Sequence, residues 1–282
     1  MDEPATCYRH PDRETGLSCS ECGRPICVDC MSVAPVGIRC PDHATTSGRS
    51  ATQTLKAARP SMSRDGLLVT KVLIAVNVLF YLVTVAQGAG LNAPGGRLFE
   101  KLALYGPAVA AGDWWRLIGA AFLHASVLHI AFNMLALWWI GGPLEAAIGH
   151  WRYLAIYGIS GLAGSAGALL ATPHAVTVGA SGAIFGLLGA MVVIQWQTTG
   201  SLAGPAMTLI LINLAITFAI PGISYGGHLG GLVGGVLATL ALTHFGTRHV
   251  AYARITPVAV ASLIAIGVAS VLVAYWRVRG LA

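Results

Sequence analysis

The chain has 282 residues, 55% of them hydrophobic and only 10% charged. Soluble globular proteins carry about 25% charged residues, so this composition argues against a soluble enzyme and expects lipid to solvate most of the chain. The formal charge of +6 is no sign of nucleic acid, because an excess of Lys and Arg in a membrane protein marks the cytoplasmic ends of its spans.

The composition is not uniform. Residues 1–66 are polar and hold all six cysteines, whereas residues 67–282 hold three acids, Glu100, Asp113 and Glu145. The cysteines fall in four pairs of one spacing: Cys7-x2-His10, Cys19-x2-Cys22, Cys27-x2-Cys30 and Cys40-x2-His43. Such a turn aims two side chains at one ion, and a tetrahedral zinc needs two turns. Eight ligands therefore predict two zinc ions. Disulfides would leave the regular spacing and the paired histidines unexplained. A segment of this size cannot build a large core, so the metals are expected to supply its folding energy. Neither site has an open position, which makes the zincs structural. The segment resembles a B-box-type zinc finger. That resemblance implies interleaved ligands, with Cys7, His10, Cys27 and Cys30 on one zinc and Cys19, Cys22, Cys40 and His43 on the other. Sequential pairing gives two Cys3His sites as well, so ligand arithmetic leaves the pairing open. Residues 46–66, rich in Ser, Thr, Ala and Arg, read as a flexible linker.

A span needs about 20 apolar residues. Seven are expected, near 68–87, 118–141, 150–171, 180–198, 204–220, 226–245 and 256–276. No secretory signal is read ahead of them, so the first span is expected to direct insertion. The connection 88–117 is only partly polar and holds Trp114-Trp115-Arg116, a cluster suited to a membrane interface. With the N-terminus inside, Arg49, Lys56, Arg59, Arg64, Lys71, Arg152, Arg248 and Arg254 fall on the cytoplasmic side. Arg97, Lys101, Arg116, Arg277 and Arg279 fall outside. This bias, and the reducing cytosol that thiolate sites prefer, expect a cytoplasmic N-terminus and a C-terminus outside.

Spans four and six then both run from outside to inside. Each opens on a polar residue, in Gly179-Ala180-Ser181-Gly182 and in Gly227-His228-Leu229-Gly230-Gly231. Polar groups at such depth are costly and mark function. A serine needs a base to take its proton, so the two helices must approach closely, which small residues allow. Gly182, Gly186 and Ala190 recur every fourth residue on one span, and Gly227, Gly231 and Gly235 on the other. Ordinary glycine-mediated packing, with Ser181 bonded to its own backbone, is the plain alternative. A base at matching depth on a similarly built helix weighs against it. His129 and Asn133, four apart on span two, are candidate donors for an oxyanion, with the backbone N–H of Ser181 a third. His124 and His129 are five apart with no carboxylate nearby, which disfavours a metal there. No acid belongs to span four or six, so a Ser–His dyad is expected, its imidazole held by packing.

Trp115-Arg116, His124-x4-His129-x3-Asn133, Gly179-Ala180-Ser181-Gly182 and His228-x2-Gly231 together resemble the rhomboid intramembrane serine proteases over residues 68–245. The resemblance implies Ser181 as nucleophile, His228 as general base and acid, and His129 and Asn133 as oxyanion donors. It implies a structural His124, an Arg116 in a membrane-embedded first loop, and Phe185 against the catalytic histidine. The fold class expected is an all-α polytopic membrane protein. A rhomboid-like six-helix core (67–248) carries one additional C-terminal transmembrane helix (249–282) and follows a small two-zinc domain (1–45) and the linker. Catalysis would need no cofactor. The partners expected are transmembrane protein substrates cleaved near the outer boundary of the cell membrane, the lipid bilayer, and a cytosolic protein for the zinc finger. Two other classes remain: a catalytically silent scaffold using the zinc finger to bind a partner, and a transporter, which would need polar residues across the bilayer.

Overall fold

The structure, a computed structural model, describes residues 5–33, 37–43, 67–88, 90–244 and 256–281. The linker at 46–66 and the cations Arg49, Lys56, Arg59, Arg64, Arg248 and Arg254 lie outside the described residues. The chain divides into two units, Met1–Ser61 and Met62–Ala282.

The small unit has little regular structure. Strands β1 (Thr6–Cys7) and β2 (His10–Glu14) form one antiparallel pair, and β3 (Ser32–Val33) and β4 (Ile38–Arg39) another. Its interior is Ile26 with five buried cysteines, backed by Tyr8, Leu17 and Ile38. Asp42 gathers three polar partners: the Tyr8 hydroxyl donates at 3.0 Å, Arg9 at 2.6 Å and Arg24 at 3.0 Å. The Tyr8 hydrogen bond, followed by the two guanidinium groups, holds the Asp42 carboxyl below its ordinary range.

The large unit is helical because its apolar runs find no water to bond their backbone groups, and a helix satisfies those groups internally. Among the described residues, six helices are long and apolar enough to cross a membrane: α1 (Leu68–Gln87), α5 (Val127–Ile148), α6 (His150–Ala171), α7 (Ser181–Thr199), α9 (whose apolar stretch is Tyr225–Thr243) and α10 (Pro257–Val278). Between α1 and α5 the chain folds three short helices, α2 (Gly96–Leu102), α3 (Gly106–Ala110) and α4 (Arg116–Gly119). Helix α8 (Pro205–Ala219) has 15 residues. It stands where the fifth span is expected and is shorter than those six. The second span also differs from its sequence placement, beginning at Val127 rather than near 118. Residues 118–126 are apolar enough to extend a hydropathy window, yet they turn through α4 and a 3₁₀ segment. Ser126 caps the real start, its Oγ accepting from His129 N at 3.2 Å. The helix widens into a π turn at Leu137–Gly141 just before Pro143. A proline inside a helix lacks the N–H and crowds the preceding turn, and local rewinding relieves both.

Helices α6, α7 and α9 pack at backbone distance. A Cβ placed on Gly182 would lie 3.2 Å from Gly227 O, and one on Gly189 would lie 2.9 Å from Leu232 O. On Gly231 or Gly235 it would run into the carbonyls of Gly182 and Gly186. The stripes on α7 and α9 thus face each other. A third, on α6, was not read from the sequence: Gly164 faces Gly182 and Gly227, and Gly167 faces Gly226 and Gly230. Large side chains such as Phe132, Trp139, Trp151, Phe218 and Trp276 are exposed, as a hydrocarbon-facing surface requires.

Glu145 is the one acid buried in this unit among the described residues. Its two carboxylate oxygens accept the N–H groups of Val69 and Thr70, each at 2.8 Å, and His150 Nδ1 lies 2.5 Å away. The first N–H groups of a helix have no partner of their own, so Glu145 closes the start of α1. Hydrogen bonds to a charged group contribute about 1.5–3 kcal/mol each, which offsets part of the cost of burying the carboxylate.

Candidate active site

Ser181 is the first residue of α7. Ile184 N makes the first bond back into the helix, to Ala180 O at 3.0 Å. The N–H groups of Ser181, Gly182 and Ala183 therefore precede the ladder and point out of the helix end. The chain enters through Gly179, whose φ of +124° is open to glycine and strained for other residues. Gly179 N donates to Ala120 O at 2.9 Å, and Leu104 and Thr177 exchange two backbone bonds. The segment before the serine is thereby fastened to the loop that follows α1. Arg116 fastens that loop in turn. Its guanidinium reaches Asp113 at 2.8 and 3.0 Å, Glu100 O at 2.6 Å and Ala103 O at 2.7 Å, while Trp115 Nε1 donates to Lys101 O.

His228 lies in the first turn of α9 and is buried. Its Nε2 is 2.8 Å from Ser181 Oγ. The crossing of α7 and α9 through glycine brings them there, since the two stand 47 positions apart in sequence. Phe185, one turn beyond Ser181, stacks on the imidazole with ring centroids 4.1 Å apart and planes 17° apart. The other ring nitrogen, Nδ1, is 2.7 Å from Thr217 Oγ1 on α8. No carboxylate is among the hydrogen-bond partners of His228 in the described residues. Thr217 is the contact that the sequence reading missed. Asn213 and Thr217, four apart on a largely apolar helix, were the available signal.

His129 and Asn133 sit on one face of α5. A Cβ placed on Gly179 would be 2.7 Å from His129 Nε2 and 3.8 Å from Ser181 Oγ, so the imidazole lies beside the serine. His129 Nδ1 accepts from Ala125 N at 3.3 Å. In the neutral ring this leaves the proton on Nε2, on the side of Gly179 and Ser181. Asn133 Nδ2 donates to His129 O at 2.8 Å, leaving its second hydrogen, and Asn133 Oδ1 is buried with no partner among the described residues. His124 is fully buried, its ring edge-on to His129 at 5.0 Å, and neither of its nitrogens finds a partner among the described residues.

In the small unit the ligand atoms of Cys7, His10, Cys27 and Cys30 lie within 4.8 Å of one another, as do those of Cys19, Cys22, Cys40 and His43. Each group can hold a metal ion. The individual separations include 3.8 Å for Cys7–His10, 3.4 Å for Cys27–His10, 3.3 Å for Cys30–His10, 4.0 Å for Cys19–His43, 3.9 Å for Cys22–Cys40 and 3.2 Å for Cys40–His43. A tetrahedral zinc with its usual bond lengths sets such atoms about 3.5–3.8 Å apart. All six cysteines are free of disulfides. The donor set fits zinc, and the grouping is the interleaved one.

A family model described as Rhomboid domain matches residues 111–245. Rhomboid protease GluP of Bacillus subtilis (strain 168) is 35% identical over 181 residues, covering 61% of this chain and 34% of that protein. RHOMBOID-like protein 5 of Arabidopsis thaliana is 42% identical over 135 residues, covering 45% and 43%. YdcA of Bacillus subtilis (strain 168), whose name places it among the rhomboids, is 38% identical over 138 residues, covering 47% and 69%. The chain belongs to the rhomboid family. It is a multi-pass membrane protein, and it spans less than half the length of GluP and of RHOMBOID-like protein 5.

Proposed function

We propose that this protein is an intramembrane serine endopeptidase that cleaves single-span membrane proteins near the outer membrane boundary. The observation that carries the reading is the 2.8 Å contact between Ser181 Oγ and His228 Nε2 in a chain that belongs to the rhomboid family.

In this reading His228 Nε2 takes the Ser181 proton as Oγ adds to the scissile carbonyl. The negative charge that develops on the carbonyl oxygen needs donors fixed in advance. In this reading His129 Nε2–H, the second N–H of Asn133 and the backbone N–H of Ser181 supply them. His228 then passes its proton to the leaving amine, and a water activated by the same nitrogen releases the acyl group. No cofactor enters these steps. The zinc sites are structural, each with four protein ligands and no open position. We assign the N-terminus to the cytoplasm and the C-terminus to the outside, so that the α5, α7 and α9 starts and the dyad face outward, where water can reach them. The zinc-binding unit would then meet cytosolic proteins.

The test is cleavage of a model membrane-spanning substrate by the purified protein in detergent or proteoliposomes, against Ser181→Ala. The reading expects cleavage by the first and none by the second. Equal turnover by both would overturn it.

A further inference from the structure

Both ring nitrogens of His228 are engaged, Nε2 with Ser181 Oγ at 2.8 Å and Nδ1 with Thr217 Oγ1 at 2.7 Å. A neutral imidazole carries one proton, so one nitrogen donates and the other accepts. Thr217 decides which. A hydroxyl has a single proton, and that of Thr217 is committed: Oγ1 donates to Asn213 O, one turn earlier on α8, at 2.6 Å. Oγ1 can then only accept from Nδ1. The proton of His228 sits on Nδ1, and Nε2 keeps the lone pair that Ser181 needs. The opposite polarity would place the proton on Nε2 and make the imidazole a donor toward Ser181, useless as a base.

We propose that Thr217 is a positioning residue that locks His228 in its base-competent tautomer, with the carbonyl of Asn213 as the anchor of the relay. The proposal rests on the protease reading. The relay runs Ser181 O–H to Nε2, Nδ1–H to Thr217 Oγ1, and Thr217 O–H to Asn213 O, every proton having one acceptor. When Nε2 takes the serine proton, Nδ1–H keeps its acceptor, so the imidazolium forms without any new ordering. A neutral hydroxyl does this without burying a second charge at membrane depth, where a carboxylate is costly. Thr217 is itself buried, so no water competes for Nδ1. Phe185 fixes the face of the ring, and Thr217 fixes its edge and its proton.

The experiment compares Thr217→Val, which keeps the shape and removes the hydroxyl, with Thr217→Ser, which keeps the hydroxyl. Two readouts are taken on the full-length protein in micelles: kcat and KM on a model membrane-spanning substrate, and the ¹⁵N shifts of His228, assigned by their loss in His228→Ala. Thr217→Val should lower kcat by about 10- to 100-fold with little change in KM, the loss expected for one buried hydrogen bond. Its His228 should gain the Nε2–H form. Thr217→Ser should recover most of kcat and the Nδ1–H form. If Thr217→Val keeps the Nδ1–H form, or if Ser fails to recover what Val loses, the proposal is overturned. If the wild type cleaves no more than Ser181→Ala, the protease reading falls, and the ¹⁵N shifts still decide the tautomer.

Discussion

Phe185 lies flat against His228, with centroids 4.1 Å apart. Both side chains belong to helices that meet through glycine, so the ring can reach across without a spacer. An aromatic pair of this kind contributes about 0.5–1.5 kcal/mol beyond its area. Phe185→Ala should therefore cut kcat by up to about tenfold, with KM nearly unchanged, and Phe185→Tyr should retain most activity. Steady-state kinetics on a model substrate check this. An unchanged kcat for Phe185→Ala would mean that the stacking does not help to hold the proposed base.

The proposed oxyanion donors give a separable prediction. Loss of one such donor costs about 10²–10³ in kcat. Asn133→Ala and His129→Ala should each show a loss of that order, with a smaller effect on substrate binding. Single-turnover measurements, which isolate the chemical step, read the effect. Full activity in both variants would remove the two residues from the chemistry and leave the dyad standing.

Gly231 and Gly158 offer a matched pair for the packing of the helices. A methyl at Gly231 would collide with the carbonyl of Gly182, whereas one at Gly158 meets nothing within 4 Å. Overpacking of this kind costs about 1–3 kcal/mol. Gly231→Ala should lower the thermal midpoint in detergent and reduce cleavage, because any shift of α9 away from α7 lengthens the distance from His228 to Ser181. Gly158→Ala should leave both unchanged.

The parts of this site differed in how far the sequence revealed them. Ser181 and His228 were legible because each opens an apolar run, where a polar residue has no solvent to explain it. The stripes on α7 and α9 were legible from their four-residue spacing. Thr217 was not, since threonine in an apolar helix ordinarily bonds its own backbone, and nothing in the stretch that sets it 11 positions before His228 reveals that the chain doubles back. Glu145 was read only as one of three acids in the apolar part of the chain. Its place as the cap of α1 depends on a contact across 75 residues, which no local pattern encodes. The start of α5 was misplaced because hydropathy does not distinguish an apolar helix from an apolar turn, although Ser126 was present as a capping residue. The zinc pairing was beyond ligand counting, since both pairings give the same ligand types.

The metal sites can be tested without reference to catalysis. The full-length protein should carry two zinc ions per chain, measured by elemental analysis. Cys7→Ser with Cys27→Ser should remove only one ion, because the structure places both thiols in one group. Sequential pairing would have that double variant damage both sites. Deletion of residues 1–60 should spare cleavage of a model substrate in detergent, since the dyad and the proposed donors all lie in the large unit. A deletion variant that inserts correctly and cleaves nothing would require coupling between the two units.

The most direct test of the central claim is to locate the activated nucleophile chemically. A fluorophosphonate reacts readily only with a serine whose proton a base can take. Treating the full-length protein with such a probe and mapping the adduct by mass spectrometry should place it on Ser181 in the wild type. The adduct should be lost in Ser181→Ala and in His228→Ala. An adduct on another residue, or undiminished labelling of Ser181 in His228→Ala, would contradict the assignment of these two residues as nucleophile and base.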